Sequence, residues 1–432
     1  MNKIFLLFIF LLFVNNCSIK RSQELLGKKE ININEIKKVK IILTKKAREE
    51  KEINSNLEIS ISQNKFNQKF NNNHNDIGEL FYEGVLEKVG KYKFSRFNNF
   101  EYVDVRPIFY GENVIFFDNK GSIIFYDKNQ KIIWKKNYYN KSEKRFKPRL
   151  SFANKKKILI VTDDVAKYYA INIETGDLIW TKNNTVPFKS DIKIQDNTFY
   201  VVDFKNILRA ISIKDGSELW QLKTEESLTK SNTKISIVIK GKNIYFNNSI
   251  GDITAVNLKS GKLVWQLPTQ NNNISKNAFQ LSNSKLVVNE NSIFFSNNKN
   301  EFYSIDVSTG LINWKNEINS ELRPIIIGRY IMTISQNGYL YTIDKKSGNI
   351  LRINNLFETY KVKKRNSIYP TGFLIAMNKI YLSNNKGKLI IVDLSTGKIL
   401  DAIKIARTKI LQPYISENNL FLIKNGSIIK FN

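Results

Sequence analysis

Few side chains in this sequence are suited to catalysis or metal binding. The 432 residues include one histidine, His74, and one cysteine, Cys17. A structural zinc site of the usual kind needs four Cys/His ligands, and a single cysteine cannot close an intrachain disulfide. His74 lies in Asn71-Asn72-Asn73-His74-Asn75-Asp76, away from any second His or Cys, and reads as an exposed polar residue. No Gly-x-x-x-x-Gly-Lys-Ser/Thr loop or Gly-x-Ser-x-Gly elbow occurs, and a Ser-His-Asp arrangement would have to recruit His74. The adjacent acids Asp163 and Asp164 fall at an expected hairpin tip and read as solvated turn residues, because a calcium site would need several more oxygens at fixed spacing. These observations argue against hydrolase and nucleotidase chemistry. No metal or cofactor is expected.

The composition points the same way. With 42% hydrophobic residues the chain can bury a substantial core. Sixty-eight Lys and Arg against 39 Asp and Glu give a net charge of +29. A basic surface gains affinity for nucleic acid by releasing counterions. Here the lysines are spread along the whole length beside an equally heavy load of asparagine, so no nucleic-acid partner is expected. A weak general attraction to anionic headgroups or acidic partners remains.

The first residues set the compartment. A positively charged start at Met1 to Lys3 leads into an apolar run from Ile4 to Val14, followed by Asn15, Asn16 and Cys17. The run is too short to span a bilayer as a helix and has the form of a signal peptide, residues 1–16. No later segment is apolar enough to span. Residues 17–80 carry charged runs such as Lys45-Lys46-Ala47-Arg48-Glu49-Glu50-Lys51-Glu52 and an asparagine-rich tract, and are expected to form a largely extended or disordered tether.

The remainder is dominated by a repeat. Its copies start at Gly121, Ala166, Asn206, Gly251, Asn300, Gly338, Gly387 and Gly426, an average period of about 44 residues, the length of one four-stranded propeller blade. Six copies place a glycine ten residues after the start: Gly176, Gly216, Gly261, Gly310, Gly348 and Gly397. A hairpin turn that needs positive φ explains it. Four residues later stand Trp180, Trp220, Trp265 and Trp314, and Trp134 follows the shorter turn of the first copy, so all five tryptophans occupy one repeat position. Equivalent rings in successive copies suit packing between neighbouring blades better than a single binding platform. Arg352 and Asp401 replace Trp in the sixth and seventh copies, where looser docking is expected. Six residues after each start, Asp127, Asn172, Ser212, Asn257, Asp306, Asp344, Asp393 or Asn432 supplies an acceptor that closes the turn.

Alternating stretches such as Asn113 to Asp118, Asn243 to Asn247 and Lys379 to Ser383 precede the starts and read as strands. The fold class is therefore all-β, an eight-bladed β-propeller of four-stranded antiparallel blades over residues 81–432. The eighth copy stops at Asn432 without its outermost strand. The stretch from Glu87 to Phe97 has strand character and is expected to close that last blade, leaving no open edge.

The repeat Thr-Gly-x-x-x-Trp, preceded by Gly-x-x-x-Ala-apolar-Asp, resembles the pyrroloquinoline-quinone-type propeller repeat. Together with the leader and eight blades, it is similar to the BamB-like family of outer-membrane β-barrel assembly lipoproteins. Lys38-Val39-Lys40-Ile41-Ile42-Leu43 and Asn75-Asp76-Ile77-Gly78-Glu79-Leu80 also look like the segment ahead of that family's propeller. The resemblance implies that Cys17 accepts a lipid (palmitate among its acyl chains), and Ser18 in place of Asp implies sorting to the outer membrane, facing the periplasm. It also implies a non-catalytic scaffold that docks on periplasmic domains of the BamA-type barrel insertase, with unfolded outer-membrane clients as further partners. Val186-Pro187-Phe188-Lys189 fits the family's apolar-x-apolar-basic docking loop, which makes Val186, Phe188 and Lys189 the candidate partner-binding residues. The next loop offers Lys230 and Asn232 where the family has an acidic pair. Quinone-dependent dehydrogenases share the repeat, but their adjacent cysteines and extra stacking Trp have no counterpart after Cys17. A propeller binding saccharide or another envelope partner is the third reading.

Overall fold

The computed structural model describes residues 50–60, 73, 75–225, 233–269 and 281–432. Cys17, His74, Lys230 and Asn232 lie outside them. The described strands form eight sheets, each containing four antiparallel strands that run outward from an inner strand. Blade 1 comprises Ile108–Tyr110, Asn113–Phe117, Ile123–Tyr126 and Ile132–Lys136, and every later blade repeats that order. The first strand of each blade is innermost and the second and third are almost wholly buried. The outermost exposes alternate residues, as in Glu218–Lys223 of blade 3. This burial follows from chemistry: Val, Ile, Phe and Tyr fill two-sided central strands, while Lys, Glu and Gln occupy the solvated rim.

Blade 8 closes as the sequence anticipates. Lys88–Lys93 runs antiparallel to Ser427–Phe431, with Tyr92 opposite Ile428. Glu87 and Asn432 exchange backbone hydrogen bonds at 3.2 and 2.9 Å, joining the two ends of the ring.

The turn acceptors also behave as expected. Asn172 accepts from the amides of Glu174 and Thr175, and Asp306 from those of Ser308 and Thr309. The turn glycines have a second reason to be glycine beyond their φ near +70°. A Cβ on Gly216 or Gly261 would come within 2.7 or 2.6 Å of the ring of Trp180 or Trp220, which lies flat on the turn of the following blade. The indole N–H of Trp134 donates to Ile173 O at 2.8 Å, Trp180 to Ile213 O at 2.9 Å, Trp265 to Val307 O and Trp314 to Lys345 O at 3.1 Å.

Two expectations change. Arg352 does not loosen the joint between blades 6 and 7. Fully buried, it donates to the carbonyls of Leu394, Ser395 and Leu57, and Leu394 is the counterpart of the carbonyls that the tryptophans reach. Asp163 is not a solvated turn residue. It is 2% exposed, takes the hydroxyl of Tyr139 at 2.5 Å and accepts from the amides of Val165 and Lys167. Asp164 beside it is exposed.

Part of the span assigned to a tether packs on the ring. Ile53 bridges Ile353 on the outermost strand of blade 6, Asn354 donates to Ser55 O at 3.0 Å, and Ile59 is buried. Further on, Asn73 O accepts from Ile239 N in blade 4, and Asn75 donates to Leu286 O of blade 5 at 2.9 Å. Glu79–Leu80 then pairs in parallel with Ile375 and Ala376 of blade 7. The chain thus crosses the axis of the ring at the ends of the inner strands before it enters the closing strand.

Candidate functional site

Antiparallel alternation puts the connections into each inner strand and the turns between second and third strands on one face of the ring. The candidate loop lies there, between the outermost strand of blade 2, Leu178–Asn183, and the innermost of blade 3, Lys193–Gln195. Its backbone is tied down at both neighbours: Phe188 N donates to Asp163 O of blade 2 and Lys189 N to Val202 O of blade 3.

The three candidate residues part company. Val186 and Lys189 are partly exposed, but Phe188 is 7% exposed and meets Tyr168 edge-on at 5.5 Å in the core between blades 2 and 3. Phe188 therefore supports the loop from beneath, and its ring is not on offer to a partner. The aromatic side chain this loop presents is Phe204, 39% exposed in the adjacent turn, with the Lys189 ammonium 5.2 Å from its ring centroid. Phe204 N donates to Pro187 O at 2.8 Å, so turn and loop form one fixed surface. The sequence signal for Phe204 was its place directly after Asp203, in a turn that otherwise carries polar residues. Asp203 is fully buried, and Arg209 is paired with it at 2.9 Å on the same blade.

A second cluster lies on the axis, reached from the same face. Asp191, just ahead of the innermost strand of blade 3, has Lys285 Nζ at 2.7 Å, Arg106 Nη2 at 3.6 Å and Lys234 Nζ at 3.9 Å. Burial would raise its pKa, but Lys285, Arg106, Lys234 and Lys193 outweigh that and hold the carboxylate well below its usual range. Lys193 is fully buried and donates to Asn75 Oδ1 at 2.5 Å, fastening the crossing segment to the ring. Burial drives its pKa well down. Two chambers of about 400 and 460 Å³ flank this cluster and share Arg323, Gln412 and Tyr414 in their walls. Among the described residues no group of three or more His, Cys, Asp or Glu is placed to hold a metal ion.

Residues 107–354 match the family described as outer membrane protein assembly factor BamB, more than half of the chain. The chain belongs to the BamB family. The BamB crystal structure from Moraxella catarrhalis has the same fold, with a TM-score of 0.66 at 14% identity over 81% of this chain and 100% of that one. The computationally designed Ika8 protein is also similar, with a TM-score of 0.59 at 12% identity over 82% of this chain and 99% of that one. Quinohemoprotein alcohol dehydrogenase ADHIIG from Pseudomonas putida HK5 gives a TM-score of 0.60 at 11% identity over 83% of this chain and 78% of that one. At such identities these likenesses establish the propeller fold alone. A search of curated proteins found no match.

Proposed function

We propose that this chain is a non-catalytic lipoprotein scaffold of the outer-membrane β-barrel assembly machinery. It is anchored through acylated Cys17, faces the periplasm and docks on periplasmic domains of the barrel insertase. The observation that carries the reading is the family match over residues 107–354, on a ring whose described surface offers a rigid two-loop patch for a protein partner. In that patch Phe204 supplies the apolar contact, with Lys189 and Val186 beside it and Phe188 locking the loop below. A partly exposed aromatic flanked by a cation is the composition of an interface anchor.

Affinity isolation of the full chain from detergent-solubilised membranes, with mass spectrometry of its intact N-terminus, tests anchor and partner together. The expected result is co-isolation of the barrel insertase and a diacylglyceryl mass on Cys17. An unmodified N-terminus would remove the lipid anchor, and absence of the insertase would remove the docking function.

A further inference from the structure

The axial cluster lies apart from the Lys189 and Phe204 surface. It arises from the repeat itself. Arg106, Asp191, Lys285 and Arg323 each stand fifteen residues ahead of a repeat start, so ring symmetry turns all four toward one axis, where Lys234 joins them from blade 4. The charges do not balance. Four cations of the chamber walls, Arg106, Lys234, Lys285 and Arg323, face the carboxylates of Asp191 and Asp104, with Asp76 a third carboxylate acting on Arg323, while burial drives the pKa of Lys193 well down.

Burial followed by the charge of Arg106 pushes Lys285 down to about 8 and Arg323 down to about 9, a sign of cations crowded together. Nε and Nη2 of Arg106 are buried without a hydrogen-bond acceptor. Asp191 at 3.6 Å compensates the charge of Arg106, but guanidinium donors are rarely left without an acceptor. The walls are partly accessible, with side-chain exposure of 16% for Lys285, 27% for Lys234 and 18% for Arg106. Chambers of about 400 and 460 Å³ have the volume of a small-molecule site. Ile77 and Leu80 of the crossing segment form part of the second chamber's wall. That segment obstructs the passage of a polypeptide, which favours a small molecule over an acidic peptide.

We propose that the axial channel binds a small polyanion through carboxylate or phosphate oxygens, held by Lys234, Lys285, Arg106 and Arg323 around Asp191. The ligand supplies an acceptor for the Arg106 donors that Asp191 does not hydrogen-bond. Gly372, whose Cβ would collide with Gln412, keeps the wall of the first chamber open beside it.

The full chain is titrated calorimetrically with citrate, inorganic phosphate, acetate and an acidic peptide at matched ionic strength. One citrate or one phosphate should bind per chain, at least about tenfold more tightly than acetate. Preference for citrate assigns a polycarboxylate, and preference for phosphate assigns a phosphate ester. Lys234→Gln with Lys285→Gln should weaken binding about tenfold or more, whereas Asp191→Asn, which adds to the cation excess, should tighten it. The opposite signs keep the test meaningful if either variant folds poorly. The proposal is overturned if neither anion outbinds acetate, if the acidic peptide alone binds, or if exposed Lys363→Gln with Lys364→Gln weakens binding equally.

Discussion

The joints between blades 1 and 6 and the joint between blades 6 and 7 reach equivalent carbonyls by different chemistry. In the first group an indole lies on a turn glycine of the next blade, and in four of the five its N–H is bonded to the backbone beyond the turn acceptor. These joints are self-sufficient, because the ring supplies apolar area and one donor together. In the sixth joint Arg352 lies beside Gly397 and carries five N–H donors, of which the next blade takes two through Leu394 O and Ser395 O. A third donor reaches Leu57 O, and residues 52–59 are drawn along the edge of blade 6. Replacing Trp by Arg therefore does not weaken the ring; it recruits the preceding chain. At the closure the arrangement is reversed. Gly90 occupies the Trp position of blade 8, and Gln130 from the turn of blade 1 lies on it.

Five substitutions test this difference between the joints. Trp265→Ala removes a ring and a donor that nothing else replaces, and should cost about 3–5 kcal/mol in urea unfolding of the ring. Arg352→Ala takes a donor from three carbonyls, of which Ser395 O keeps only Ile59 N, and a loss of about 3 kcal/mol is expected. Arg352→Trp should recover most of that stability but free residues 52–59, seen as faster proteolysis there. If proteolysis is unchanged, the cation is not what holds the segment.

Asp163 distinguishes the joint of blades 1 and 2 by charge. Burial lifts its pKa to about 6, so the folded chain binds a proton more readily than the unfolded one between about pH 4 and 6. Stability from this group rises as pH falls through 6. Asp163→Asn keeps the acceptor for both amides and should abolish that rise, a difference on the order of 2 kcal/mol between unfolding at pH 7 and pH 4.5. A slope identical to that of the parent would place the proton elsewhere. Gly90→Ala should cost least, about 1 kcal/mol, since the flexible end of Gln130 can move aside.

The ring was legible in the sequence because each blade repeats the same local demands. A positive-φ glycine, an acceptor at the turn and a large ring four residues after the glycine recur at fixed spacing, and the truncated eighth copy announced its own closure. What escaped were contacts made across the ring. Arg352 looks like a lost Trp until Leu57 and Leu394 are seen beside it. Phe188 matches a docking pattern in one dimension, yet Tyr168 takes its ring in three. The axial cations are spread over more than two hundred residues of sequence, and only Arg106, Lys285 and Arg323 betray by a shared fifteen-residue offset from the repeat starts that they meet.

The proposed role of the ring is docking on the barrel insertase through the Lys189 and Phe204 surface. The most direct measurement is the affinity of the purified full chain for the purified periplasmic domains of the insertase, with parent and Lys189→Glu/Phe204→Ala proteins compared at equal thermal stability. A one-to-one complex is expected, weakened at least about tenfold in the double variant. No complex with the parent protein, or equal affinity for both, would contradict it.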